Sequence, residues 1–115
     1  MKRTMFLVAL TLAFAAASAQ DLTVGSYNIR NDNSGDARKG DGWAQRCPVI
    51  CELVQWVDYD IFGAQEVKKN QLDDMSALLA DYDHVGVGRD DGEHGGEHEP
   101  IFYKRDRFEL LDSGD

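Results

Sequence analysis

The apolar residues change their period between residues 48 and 66, and that change constrains the fold more than any other feature of the chain. Val49, Ile50, Leu53, Val54 and Val57 recur at the spacing of an amphipathic helix. Pro48 suits a first helical turn, so a helix is predicted over residues 48–57 with Cys47 just outside it. The apolar residues that follow, in "YDIFGAQE", are short and continuous, the pattern of a strand covered on both faces rather than a sheet edge. A second helix is expected over residues 69–80, with Leu72, Met75, Leu78 and Leu79 as its buried stripe. "LTVGSYNI" alternates as a strand, placing Leu22, Val24, Ser26 and Asn28 on one side. "HVGVG", "PIFYKR" and residues 108–111 read as further strands. "NDNSGDARKGDG" and the Gly- and acid-rich residues 89–99 read as loops. Helices alternating with strands and then giving way to consecutive strands imply helices packed on a mixed sheet, an α/β or α+β arrangement. No internal repeat or domain boundary marks residues 20–115.

Residues 1–19 have the form of a signal peptide: basic Lys2 and Arg3, an uncharged apolar run over residues 5–17, and small residues Ala17 and Ala19 around Ser18. Cleavage before Gln20 and a secreted or periplasmic location are expected. The run is too short to span a bilayer comfortably, so no transmembrane segment is expected in the mature chain. Losing Lys2 and Arg3 leaves ten basic against 21 acidic residues and takes the formal charge from −9 to −11. Such a surface lacks the Lys and Arg footprint that grips nucleic-acid phosphates. Phosphate chemistry on this chain would lean on a divalent cation, although acidity also serves simply to keep an exported protein soluble.

Asn28 and Glu66 end two predicted strands where apolar residues would pack better. A half-buried carboxylate is costly unless a hydrogen bond, an opposite charge or a metal meets it. In α/β sheets, functional groups collect at the ends of neighbouring strands. A carboxylate, a carboxamide and several waters suit Mg²⁺; against this stands the plain fact that strand ends are often polar. Cys47 and Cys51, four apart, share a helical face without the geometry for a disulfide, and two separate half-buried thiols are expected. His94 and His98, in "EHGGEHE", read as a solvated loop because Gly95 and Gly96 spoil a rigid presentation. Trp56 falls on the helical pattern and is expected to pack, whereas Trp43 is expected in a loop covering the site.

Taken together, "LTVGSYNIRND", "DIFGAQEV", "VGVGRDDG" and "EHEPIFYKRDRFELLDSGD" resemble, in order and spacing, the N-terminal part of the endonuclease/exonuclease/phosphatase family, which includes deoxyribonucleases, inositol polyphosphate 5-phosphatases and neutral sphingomyelinases. The resemblance covers residues 22–115. It implies a four-layer sandwich of two mixed β-sheets flanked by helices, of which this chain carries about the first half, and a monomer when complete. It implies hydrolysis of a phosphoester substrate with Mg²⁺, or Mn²⁺ or Ca²⁺ in its place. By resemblance, Glu66 ligates the metal, Asn28 contacts the phosphate and the metal's waters, and Glu97, with Glu99 as the alternative, is the acid that orients a catalytic histidine. Arg89 and Lys68 fall where the substrate binds. Where DNA-cleaving members carry Arg, this chain has Lys68, a point charge rather than a fork, which with the acidic surface counts against duplex DNA. The family's later Asp-x-Asn and closing Asp-His motifs are not matched in residues 22–115, which resemble only the first half of the catalytic domain, so residues 1–115 alone are expected to be catalytically silent. The alternative is a non-catalytic secreted binding domain, or an acidic divalent-ion-binding module, with the same fold.

Overall fold

The computed structural model describes residues 21–114; the predicted signal peptide lies outside them. The elements run β1 (Val24–Asn28), α1 (Ser34–Arg38), α2 (Trp43–Val57), β2 (Ile61–Gln65), α3 (Lys69–Leu78), β3 (Tyr82–Val85) and β4 (Ile101–Lys104). They form one four-stranded mixed sheet in the order β1-β2-β4-β3. β1 and β2 are parallel, Val24 opposite Ile61 and Asn28 opposite Gln65. β4 is antiparallel to both β2 and β3.

One face of the sheet carries the core. Phe62 and Ala64 of β2, Phe102 of β4 and Tyr82 of β3 are buried together with Ile50 and Val54 of α2, Leu72 and Met75 of α3, and Leu79 just after it. Phe62 and Phe102 stack with their centroids 4.9 Å apart. Buried Asp60 enters β2 with its charge met: it accepts from Thr23 N at 2.7 Å and from Arg107 at 2.5 Å, which hold its carboxyl below the usual carboxylate range. No helix among the described residues is long and apolar enough to cross a membrane.

Several expectations are corrected. The segment expected to be a loop over residues 31–42 contains α1, whose N-cap Asn33 accepts from Asp36 N at 2.8 Å. α2 begins at Trp43 rather than Pro48, so Cys47 lies inside it; Pro48 is carried in the helix, where it forgoes one backbone donor. Cys47 and Cys51 are free and buried, not half-buried. The tryptophans exchange roles: Trp43 is buried in the first turn of α2 and donates to Asp74 on α3 at 2.8 Å, whereas Trp56 is 83% exposed. Val49, Leu53 and Leu78, expected in the buried stripes, are exposed, because a single layer of helices needs only the narrow seam that meets the sheet. β2 is central in the sheet but covered on one face; Ile61, Gly63 and Gln65 are only half-buried. Residues 108–111 form no strand. His98 is buried rather than solvated, its Nδ1 3.1 Å from Val67 O, an arrangement that puts the proton on Nδ1.

Candidate functional site

Parallel neighbours deliver their carboxyl ends to the same edge of the sheet, so the loops leaving β1 and β2 meet there. Each loop turns through a left-handed residue, Arg30 and Glu66, both at φ 61°. That conformation costs a non-glycine residue roughly 1–2 kcal/mol, so each turn needs support from outside itself.

The turn at Arg30 is held from three sides. Its guanidinium bonds Asp36 twice, at 2.5 and 2.9 Å, and this contact draws the Asp36 carboxyl down to about 2. Arg46 of α2 reaches back to donate to Ile29 O at 2.6 Å and to the carbonyls of Arg30 and Asn31 at 3.3 Å. Buried Gln71 of α3 donates to Arg30 O at 2.9 Å. Lys68 Nζ donates to Asp32 O at 2.6 Å and ties down the next residue of the loop.

Glu66 is positioned by its neighbour. Val67 and His98 exchange both backbone hydrogen bonds, at 3.2 and 2.6 Å, as an isolated antiparallel bridge. In this antiparallel register Glu66 falls opposite Glu99 and Lys68 opposite Glu97, so Glu97 lies diagonally across the bridge from Glu66. Asn31 Nδ2 lies between them, donating to Glu66 Oε1 at 3.3 Å and to Glu97 Oε1 at 3.0 Å. Arg89 N donates to Glu97 O at 3.0 Å, and the Arg89 guanidinium lies 4.0 Å from the Glu97 carboxylate while remaining 74% exposed. Gly88 allows this approach: a Cβ there would meet Gly95 O at 2.3 Å.

Of the residues singled out in the sequence, the fold thus joins Glu66, Glu97 and Arg89 in one contiguous set. Asn28 stands at the end of β1, one register position from Glu66, with its Oδ1 accepting from Arg30 N at 2.9 Å. Asn28 also lines an open groove of about 420 Å³ shared with Arg30, Asp41, Gln45 and Arg46. Glu99 is exposed and shares a shallow groove of about 170 Å³ with Val87, Arg89 and Glu97. Asn31, which joins the two carboxylates, was not singled out, and an Asn in a Gly-, Asp- and Asn-rich loop carries no signal of that role before the fold is known. Nor was Gln71, whose position on the α3 pattern says only that it faces inward.

Among the described residues no three His, Cys, Asp or Glu side chains gather closely enough to enclose a metal by themselves. What the site offers is a pair of adjacent carboxylates with carboxamides beside them, all hard oxygen or nitrogen groups. That set fits an ion which keeps most of its waters and takes few protein ligands, as Mg²⁺ does.

No protein-family model and no curated protein matches the chain. Solved structures do. It is 54% identical to a mannosyl-6-phosphatase, Bt3783, of Bacteroides thetaiotaomicron VPI-5482, with a TM-score of 0.80 over 82% of this chain and 35% of that one. An endonuclease/exonuclease/phosphatase family protein from the same species is 52% identical, with a TM-score of 0.82 over 85% and 36%. An endonuclease/exonuclease/phosphatase from Bacteroides vulgatus is 41% identical, with a TM-score of 0.78 over 84% and 36%. The mixed sheet with its flanking helices is the fold of these proteins, and the chain spans about a third of their length. With this identity and this fold, the chain belongs to the endonuclease/exonuclease/phosphatase family.

Proposed function

We propose that this chain contributes the metal- and phosphate-binding edge of a secreted or periplasmic, divalent-metal-dependent phosphoester hydrolase. The observation that carries this reading is the Asn31 amide donating to both Glu66 and Glu97 at the carboxyl ends of the parallel β1–β2 pair. Two carboxylates set beside one another with a single neutral donor between them form a place of concentrated negative charge, open to a cation.

Glu66 would hold the ion, with the Asn28 carboxamide beside it; Mg²⁺ or Mn²⁺ suits this small ligand set better than Ca²⁺, which takes roughly six to eight oxygens. When bound, the ion would offset negative charge on the phosphoryl oxygens. Asn28 would orient the phosphate through its amide. Arg89, exposed and only loosely held by Glu97, is the cation best free to meet a substrate anion. Lys68 would add positive charge from its anchor on Asp32 O. Glu97 would orient a histidine base contributed by another part of the protein, its carboxylate accepting the ring N–H.

The 54% identity to a mannosyl-6-phosphatase makes a sugar phosphomonoester the first substrate class to try, and the acidic surface argues against duplex DNA. The test is a Mg²⁺ and Mn²⁺ titration of the complete gene product with p-nitrophenyl phosphate, bis-p-nitrophenyl phosphate and a hexose 6-phosphate, in wild type and Glu66→Gln. Metal-dependent turnover is expected in the wild type, with a loss in Glu66→Gln at least matching the roughly 10–100-fold typical of changes around a metal site. Equal metal-dependent turnover in both proteins would refute the role given to Glu66.

A further inference from the structure

Gln71 is completely buried, and both ends of its side chain are used. Its Oε1 accepts from Lys68 N at 3.0 Å, just beyond the left-handed turn at Glu66; its Nε2 donates to Arg30 O at 2.9 Å, on the left-handed residue of the other turn. One rigid carboxamide therefore spans the loops that leave β1 and β2. No other described side chain is hydrogen-bonded to both the Arg30 carbonyl and the backbone that follows Glu66.

We propose that Gln71 is a positioning residue for the metal site: it sets the separation of the two strand-end turns, and so the placement of Asn28 and Asn31 relative to Glu66. The inference rests on the reading of Glu66 as the metal ligand. Three observations support it. The Asn31 contacts to Glu66 and Glu97, at 3.3 and 3.0 Å, join the same two loops that Gln71 links. The left-handed non-glycine residue on each side, Arg30 and Glu66, keeps that conformation only because the surrounding structure holds it, and Gln71 is part of that support on both sides. The Arg30 carbonyl also accepts from two Arg46 nitrogens, each at 3.3 Å, and the 2.9 Å bond from Gln71 is the shortest of the three.

A simpler role competes with this one. Gln71 is the third residue of α3, and its bond to Lys68 N is the one half of a capping box that a Lys at the N-cap allows, a purely local helix-start device. Glu performs that cap equally well but has no proton to donate to Arg30 O. Gln71→Glu therefore separates the two roles, and Gln71→Met, of similar size, removes both bonds. Both variants are made in the complete gene product beside Glu66→Gln, with thermal unfolding as the check on folding. Mn²⁺ affinity is read by calorimetry, kcat and KM separately on p-nitrophenyl phosphate, and the Asn31 side-chain amide by NMR with ¹⁵N-Asn labelling.

The positioning role predicts that Gln71→Glu and Gln71→Met both weaken Mn²⁺ binding about tenfold or more, lower kcat with little change in KM, and shift the Asn31 amide signals. A cap-only role predicts that Gln71→Glu matches wild type in all three, and that result overturns the proposal. If Gln71→Glu fails to fold, Gln71→Met decides: wild-type Mn²⁺ affinity and unshifted Asn31 signals in that variant overturn it as well. Should Glu66→Gln bind Mn²⁺ as wild type does, the reading of the site itself falls, and the positioning proposal with it; loss in Glu66→Gln with retention in both Gln71 variants sinks this proposal alone.

Discussion

The two faces of the sheet are built from the same strands and have opposite fates. On the helix-covered face Phe62, Ala64, Phe102 and Tyr82 are buried, and Gly25 is needed because a Cβ there would meet the Tyr59 ring at 2.3 Å. On the other face Val24 and Ile101 are exposed, Ile61, Tyr103 and Val85 only half-buried, and Ser26 and Gln65 bond each other at 3.1 Å. An apolar groove of about 240 Å³ runs there between Ile61, Val85, Ile101, Tyr103 and Leu110. Close packing against α2 and α3 makes the first face intolerant of change, while the second has room that the first lacks.

Adjacent residues of β4 test that contrast most severely. Phe102→Ala should destabilise the chain by about 3–5 kcal/mol, whereas Ile101→Ala, one residue away on the open face, should stay near the ±0.5 kcal/mol typical of surface changes. Urea unfolding measures both, and similar losses in the two would show that the open face is covered in solution. A smaller effect comes from the glycines. Gly25→Ala should cost about 1–3 kcal/mol by forcing Tyr59 aside, while at Gly63 an added Cβ would find only Gln65 Nε2 at 3.7 Å and should be nearly neutral.

The tryptophans carry the contrast to the helices. Trp43→Phe loses the bond to Asp74 and should cost about 1 kcal/mol, against almost nothing for Trp56→Phe; thermal unfolding of the pair checks it. The smallest effect expected is the acid limb of the pH profile. Asp36, held at about 2 by Arg30, has a folded value below its unfolded one near 3.9, so its contribution is present above about pH 4 and fades as the pH falls toward 2. Arg30 is 63% exposed, so solvent screens the pair and the drop should be shallow. Asp36→Asn should flatten that limb in urea midpoints taken from pH 5 to pH 2, and an unchanged slope would show that other carboxylates carry it.

Much of the fold was legible because its signals are local. The stripe of Ile50 and Val54, that of Leu72 and Met75, and the apolar run of β2 each state an element within a dozen residues. Their edges were not legible. Pro48 suggested a helix start that Trp43 pre-empts, since docking Trp43 against Asp74 draws the first turn earlier than propensity alone would place it. Trp56 fits the helical pattern as well as Val54 does, but only the position of the sheet decides which side of α2 is inside. Glu66 stood out because a carboxylate ending a buried strand is anomalous in any fold; Asn31 and Gln71 did not, because a polar residue in a loop or in the first turn of a helix is ordinary.

The sequence by itself determined β1, α2, β2, α3, β3 and β4 in their order, though not α1, together with the two polar strand ends at Asn28 and Glu66 and the family, since apolar periodicity and short motifs are properties of neighbouring residues. The tertiary structure alone decided what meets Glu66. Its partner Asn31 lies 35 residues away, Glu97 arrives through the Val67–His98 bridge, and Gln71 reaches Arg30 across 41 residues. Contacts of that range are set by strand register and helix docking, which one stretch of sequence cannot express, so the carboxylate that looked unpaired in the sequence has its hydrogen bond in the folded chain.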